Sequence, residues 1–117
     1  MYTLEYDQQS RTKQQWRDAC DAIEAAGYAE ILLETVGVGQ AEYDVVGAAD
    51  TVLVVLCPGA GDGIQAMKAG ILEVADVLVV NKSDLPGADR MVVDLEEAVH
   101  IRSTGGARDP QGWAAPV

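Results

Sequence analysis

Four consecutive residues, Asn81-Lys82-Ser83-Asp84, bring an amide, a cation and a carboxylate together directly after an apolar run. A carboxylate can accept two hydrogen bonds at once. Guanine offers such a pair, a ring N–H beside an exocyclic amine, so Asp84 is suited to read that base. Adenine lacks the pair and would leave the carboxylate desolvated and partly unpaired, a penalty that discriminates strongly. Asn81 is placed to hold the loop and reach the base from its other side, while the stem of Lys82 can lie over the ring. The same residues also suit a plain turn opening toward Pro86, because Asn and Asp both favour turns.

A second constellation lies some forty residues earlier. In Ile31-Leu32-Leu33-Glu34-Thr35-Val36-Gly37-Val38-Gly39-Gln40, three aliphatics run into one acid and then into two glycines set one residue apart. The apolar run reads as a strand buried on both faces. Glu34 falls at its carboxyl end, the edge where open α/β sheets bind ligands. Gly37 and Gly39 let the backbone come close to whatever lies there. Taken alone, the stretch also suits a core strand followed by a flexible turn.

These residues need a frame, and the chain supplies an α/β one. Ser10 is a good N-cap for a helix whose apolar positions Trp16, Ala19, Cys20, Ile23 and Ala26 recur at three and four, and Gly27 stands at its C-cap. Arg11, Lys13 and Arg17 form the solvated face of that helix. Residues Ala41 to Ala48 read as a weak helix or a loop. Thr51 to Cys57 reads as a second strand buried on both faces, followed by a Pro-Gly loop in which Asp62 caps a helix burying Ile64, Met67, Ile71 and Val74. Asp76 to Asn81 is a third strand. A last helix, roughly Ala88 to Ile101, buries Met91, Leu95 and Val99. Residues 1–9 read as a ragged lead-in, and 103–117 as a loose tail. The whole of 1–117 is expected to form one partial domain with about three parallel strands flanked by helices.

Composition excludes several functions. Nineteen acids against eight bases give a net charge of −11, which argues against nucleic acid or an anionic membrane surface as partner. The longest apolar run, Thr51 to Cys57, is far shorter than the roughly 20 residues of a membrane helix. Cys20 and Cys57 stand far apart with no histidine nearby, so two buried free thiols in a reducing, cytoplasmic setting are expected rather than a metal centre.

An acid-x-x-Gly turn after one strand and Asn-Lys-x-Asp after another resemble the P-loop GTPases. Among these, Glu34 to Gln40, Pro58-Gly59-Ala60-Gly61-Asp62, Lys68 and Asn81 to Asp84 look like the MeaB/ArgK family. These are G-protein chaperones of methylmalonyl-CoA mutase, also known as LAO/AO transport system ATPases. The Trp113-x-x-Pro116-Val117 ending fits too. The resemblance implies a three-layer, Rossmann-like fold that binds and hydrolyses GTP with Mg2+. Glu34 would act near magnesium through a water, and Gly37 would give its N–H to the terminal phosphate. Val38, Gly39, Gln40 and onward to Asp44 would sense that phosphate. Asn81, Lys82 and Asp84 would read guanine. The Gly59 to Lys68 loop, with Asp62 and Lys68, would be a third switch that signals to methylmalonyl-CoA mutase or a related acyl-CoA mutase. Gly63 stands there where the family usually has an acid, and Lys68 equally suits a solvated surface.

No G-x-x-x-x-G-K-[ST] loop occurs in the 117 residues. That loop holds the β- and γ-phosphates and supplies a magnesium ligand. Its strand would lie between the Ile31 and Thr51 strands, so the expected sheet lacks its centre. Those strands should then pair directly, leave a gap, or accept a second copy of the chain as a homodimer. Two functional expectations follow. One is the carboxyl-side portion of a MeaB-like GTPase, unable to hydrolyse GTP alone. The other is a non-catalytic α/β module that binds a partner or a base.

Overall fold

The computed structural model describes residues 1–5, 13–35, 46–59, 61, 70–104 and 113–117. The chain divides into two compact units, Met1–Asp50 and Thr51–Val117.

The first unit is a parallel strand–helix–strand. Strand β1 (Tyr2–Glu5) is followed by helix α1 (Lys13–Ala25) and strand β2 (Ile31–Glu34). β1 pairs with β2 in parallel, with Tyr2 opposite Ile31 and Glu5 opposite Glu34. A parallel pair needs a crossover element, which α1 supplies. Trp16 anchors that helix, with none of its surface exposed. The helix ends as Gly27 predicts. Gly27 has φ 94, its N–H bonds to the Glu24 carbonyl, and the Tyr28 N–H bonds to that of Ile23. This is a Schellman closure, with glycine in the left-handed position.

The ragged lead-in is thus corrected over Tyr2–Glu5. Four residues are too few to show a period, and the β-favouring Tyr-Thr pair becomes a strand once β2 offers a partner edge. β1 also changes the expectation for the sheet. β2 takes its partner from the start of the chain.

The second unit holds β3 (Leu53–Leu56), a 3-10 turn (Ile71–Glu73), β4 (Val77–Val80) and α2 (Ala88–Thr104). β3 and β4 are parallel, with Leu53 opposite Val77 and Leu56 opposite Val80. One sheet face, carrying Val54, Leu56 and Leu78, packs with Ile71, Leu72, Ala75 and Leu95 into the core. Met91, Ala98 and Val99 join from α2. The helical stripe expected at Met91, Leu95 and Val99 is therefore the packed one. It spaces side chains by one turn, so that they stack on a single face.

Two expectations fail on burial and continuity. The strands are not buried on both faces, since Leu32, Leu53 and Val55 are each half exposed or more. A continuous apolar run signals cover on both sides, whereas these strands alternate toward solvent. The helix expected to bury Ile71 and Val74 does not include them, since Gly70, whose φ of 71 is left-handed, is followed only by the short 3-10 turn Ile71–Glu73. A left-handed residue cannot continue a right-handed helix.

The loose tail is also corrected at both ends. α2 runs on to Thr104. Farther on, Leu78 N–H donates to the Pro116 carbonyl at 2.9 Å, the Trp113 indole N–H donates to the Asp76 carbonyl at 2.9 Å, and Ala115 is buried. Ser10, Ile64, Met67 and the segment 41–45 lie outside the described residues.

Candidate functional site

The loop after β4 begins as an extension of the sheet. Asn81 N–H donates to the Leu56 carbonyl at 2.8 Å, which carries the β3–β4 ladder one residue past the strand. The chain then turns sharply. Lys82 has φ 55, and among the described residues it is the one side-chain-bearing position with a positive φ. Such a conformation is uncommon for a residue with a Cβ and carries strain, so a local contact must hold it. The Asn81 side chain supplies that contact, its Oδ1 accepting the Lys82 N–H at 2.8 Å.

Leu85 N–H next bonds to the Lys82 carbonyl at 3.0 Å and closes a turn with Ser83 and Asp84 at its centre. A second turn spans Leu85 to Ala88, with Pro86 and Gly87 (φ 94) in the middle, the residue types of a type II turn. The Gly87 carbonyl accepts the Met91 N–H and starts α2. Asn81, Lys82 and Asp84 are all exposed on this loop. The arrangement presents a carboxylate, a cationic stem and an amide from a backbone fixed on both sides. It could accept two donors from a planar base.

The loop after β3 leaves the same sheet edge. Leu56 and Val80 are register partners, so Cys57-Pro58-Gly59 departs beside Asn81. This is the carboxyl end of a parallel pair, where α/β sheets place their ligands. Pro58 is buried and Gly59, with φ 86, is exposed. The start of the expected third switch and the expected base-reading loop thus share one edge.

In the first unit, Glu34 closes β2 with its side chain exposed, as an acid at a strand's carboxyl end should be. Its register partner is Glu5. Nothing in the sequence singles out Glu5, because the strand that carries it shows no period. Arg17, read as a solvated residue, is exposed but donates from Nη2 to the Gly47 carbonyl at 3.1 Å. Gly37, Val38, Gly39, Gln40, Asp62 and Lys68 lie outside the described residues.

Magnesium is commonly held by one or two carboxylates together with substrate phosphates rather than by an all-protein cage. A single exposed glutamate fits that mode. Among the described residues no group of three or more His, Cys, Asp or Glu could hold a metal ion by itself. Neither cysteine forms a disulfide, and both are half-buried rather than fully buried. The Cys20 thiol is pushed above its ordinary value, first by burial and then by the nearby charges of Glu24, Asp21 and Asp50. No described helix is long and apolar enough to cross a membrane.

A parallel strand–helix–strand unit, and a second parallel pair with an Asn-Lys-x-Asp loop at its carboxyl edge, define part of an α/β P-loop GTPase domain. The model of the methylmalonyl-CoA mutase-associated GTPase MeaB matches residues 9–117, and the chain belongs to that family. Among curated proteins, it is 45% identical over 100 residues to a Pyrococcus abyssi protein carrying a GTPase name, a match covering 86% of this chain and 30% of the relative. It is 38% identical to the GTPase ArgK of Escherichia coli over 91 residues, 75% of this chain and 28% of that one. It is 49% identical over 67 residues to the mouse methylmalonic aciduria type A homolog, named as mitochondrial, covering 57% of this chain and 16% of the relative. The chain thus spans less than a third of the length of these relatives. No solved structure matches it significantly. Strand β1 precedes the matched residues, so the partner that β2 finds there lies outside the region shared with the family model.

Proposed function

We propose that this chain carries the switch and guanine-recognition parts of a GTPase that binds and hydrolyses GTP and assists a cobalamin-dependent acyl-CoA mutase. The observation that carries the reading is the loop Asn81 to Asp84. It is held by the Asn81–Lys82 contact, exposes Asp84, and sits at the carboxyl edge of a parallel pair in a member of the MeaB family. Asp84 accepts the ring N–H and amine of guanine, Asn81 fixes the loop, and the Lys82 stem covers the base. Glu34 would hold magnesium through a water, and Gly37 would give its N–H to the terminal phosphate. Val38, Gly39 and Gln40 sense that phosphate, while the loop holding Asp62 and Lys68 faces the mutase. Magnesium, when bound, would neutralise phosphate charge.

These 117 residues hold no Gly-Lys phosphate loop, and phosphoryl transfer depends on positioning and charge neutralisation. The base-reading half is therefore the part this chain can exercise alone, with turnover needing the phosphate-binding half. Calorimetry with GDP and Mg2+, set against ADP and Mg2+, tests the reading. Heat with GDP alone supports it, and no heat at millimolar GDP sinks nucleotide binding by this chain. GTP turnover that survives both Glu34→Ala and Asp84→Ala would show that a contaminant is the enzyme.

A further inference from the structure

We propose that Arg102 is a positioning residue that fastens the Ile71–Glu73 turn, which follows in sequence on the segment read above as facing the mutase. Its functional meaning rests on that reading, and its mechanism rests on contacts within the second unit. From the last turn of α2, Nη1 of Arg102 donates to the Leu72 carbonyl. The turn closes through Glu73 N–H to the Gly70 carbonyl at 3.0 Å and Val74 N–H to the Ile71 carbonyl at 3.2 Å. Neither bond uses the carbonyl of Leu72, a residue only 8% exposed. A carbonyl so placed needs a donor, and the half-buried guanidinium brings one.

The apolar contacts alone would not fix the turn's orientation. Ile71 and Leu72 share a cluster with Leu95 of α2, but packing is non-directional, whereas a charged hydrogen bond sets a direction. Just upstream, Gly70 adopts φ 71, where the chain changes path before the fastened turn. The position also suits a cation, since the carboxyl end of a helix carries partial negative charge. Helix α2 therefore follows the 81–87 loop at one end and grips the Ile71–Glu73 turn at the other. It joins the base-reading loop to the turn that follows the partner-facing segment in sequence.

Hydrogen exchange on the full chain tests this, comparing Arg102→Met, which keeps the stem without donors, with Arg102→Lys, which keeps a cationic donor. In Arg102→Met the Glu73 and Val74 amides should exchange about tenfold faster, with Val92 to Ala98 of α2 unchanged, and Arg102→Lys should restore most of the protection. Unchanged exchange at Glu73 and Val74, or uniform acceleration through Thr51–Val117, would overturn the proposal. A second arm measures binding to methylmalonyl-CoA mutase, where Arg102→Met should bind about fivefold more weakly and Arg102→Lys near wild type. Equal binding by Arg102→Met and wild type would overturn Arg102's hold on the partner-facing loop. A mutase that ignores the wild-type chain would instead refute the functional reading, while the exchange result still decides whether Arg102 fixes the turn.

Discussion

The backbone N–H of Val52 donates to the carboxylate Oδ2 of Asp76 at 2.8 Å, at the entry of the β3–β4 pair. The backbone answers in the other direction, with Asp76 N–H and Val77 N–H both reaching the Val52 carbonyl. Asp76 also receives the Trp113 indole on its own carbonyl. One residue thus ties two strand starts to the end of the chain. The strands are aligned here before the ladder carries that alignment to Asn81. Asp76→Ala removes the acceptor from a part-buried N–H and should cost about 1–3 kcal/mol. Asp76→Asn, which keeps an oxygen, should cost less. Urea unfolding followed by circular dichroism checks both, and an unchanged midpoint for Asp76→Ala would remove Asp76 from this role.

Lys82 holds a backbone conformation that suits glycine. Lys82→Gly relieves a left-handed penalty of about 1 kcal/mol, offset in part by the freedom gained in the unfolded chain. Stability should therefore stay level or rise slightly. Lys82→Val, with a branched Cβ, should lose about 1–2 kcal/mol at the same position. Asn81→Ala removes the bond that holds the turn and should also destabilise, by about 1 kcal/mol. Chemical denaturation of the three variants gives the order directly, and a Lys82→Gly protein clearly less stable than wild type would contradict the strain.

Leu95 is wholly buried at the centre of the cluster that seats α2 on the sheet. Leu95→Ala should cost about 3 kcal/mol, since a lost side chain leaves a cavity as well as a lost transfer term. Val93, half exposed on the same helix, should tolerate alanine within about 0.5 kcal/mol. Thermal unfolding of the two variants tests the contrast.

Burial and three nearby carboxylates push the Cys20 thiol up, so at pH 8 less of it is thiolate than in an unperturbed cysteine. In a Cys57→Ser background, alkylation by iodoacetamide should be slow at pH 8 and quicken as pH rises. Glu24→Gln removes the largest of the like charges and should speed it about twofold. A rate unaffected by Glu24→Gln would remove Glu24 from the causes of the shift and leave burial with Asp21 and Asp50.

Much of the fold is legible in the chain because its strands are dense aliphatic runs. β2, β3 and β4 fall inside Ile31 to Glu34, Thr51 to Cys57 and Asp76 to Asn81, and the Gly27 cap and the Leu95 stripe follow from side-chain periods. β1 was hidden because a four-residue strand has no measurable period and exists through its partner. The left-handed Gly70 was hidden because an isolated glycine costs a helix only about 1 kcal/mol and does not announce a stop. The half-exposed Leu32, Leu53 and Val55 were read as buried because an apolar run records the cover a complete sheet would have. At the Asn81 to Asp84 loop, residue types suggest the chemistry proposed for Asp84. The left-handed Lys82 could not be read, because it depends on where the Asn81 carbonyl points.

The central claim is that the loop Asn81 to Asp84 reads guanine, and nitrogen-15 chemical-shift titration of the chain with nucleosides tests it without needing a phosphate site. Base contacts alone should bind near millimolar, about −4 kcal/mol. Guanosine should move the amide signals of Asn81 to Leu85, while adenosine leaves them in place. Asp84→Asn should lose the guanosine response and gain one to xanthosine, whose second carbonyl accepts from the new amide N–H. Equal shifts with adenosine and guanosine, or a guanosine response that survives Asp84→Asn, would contradict the account.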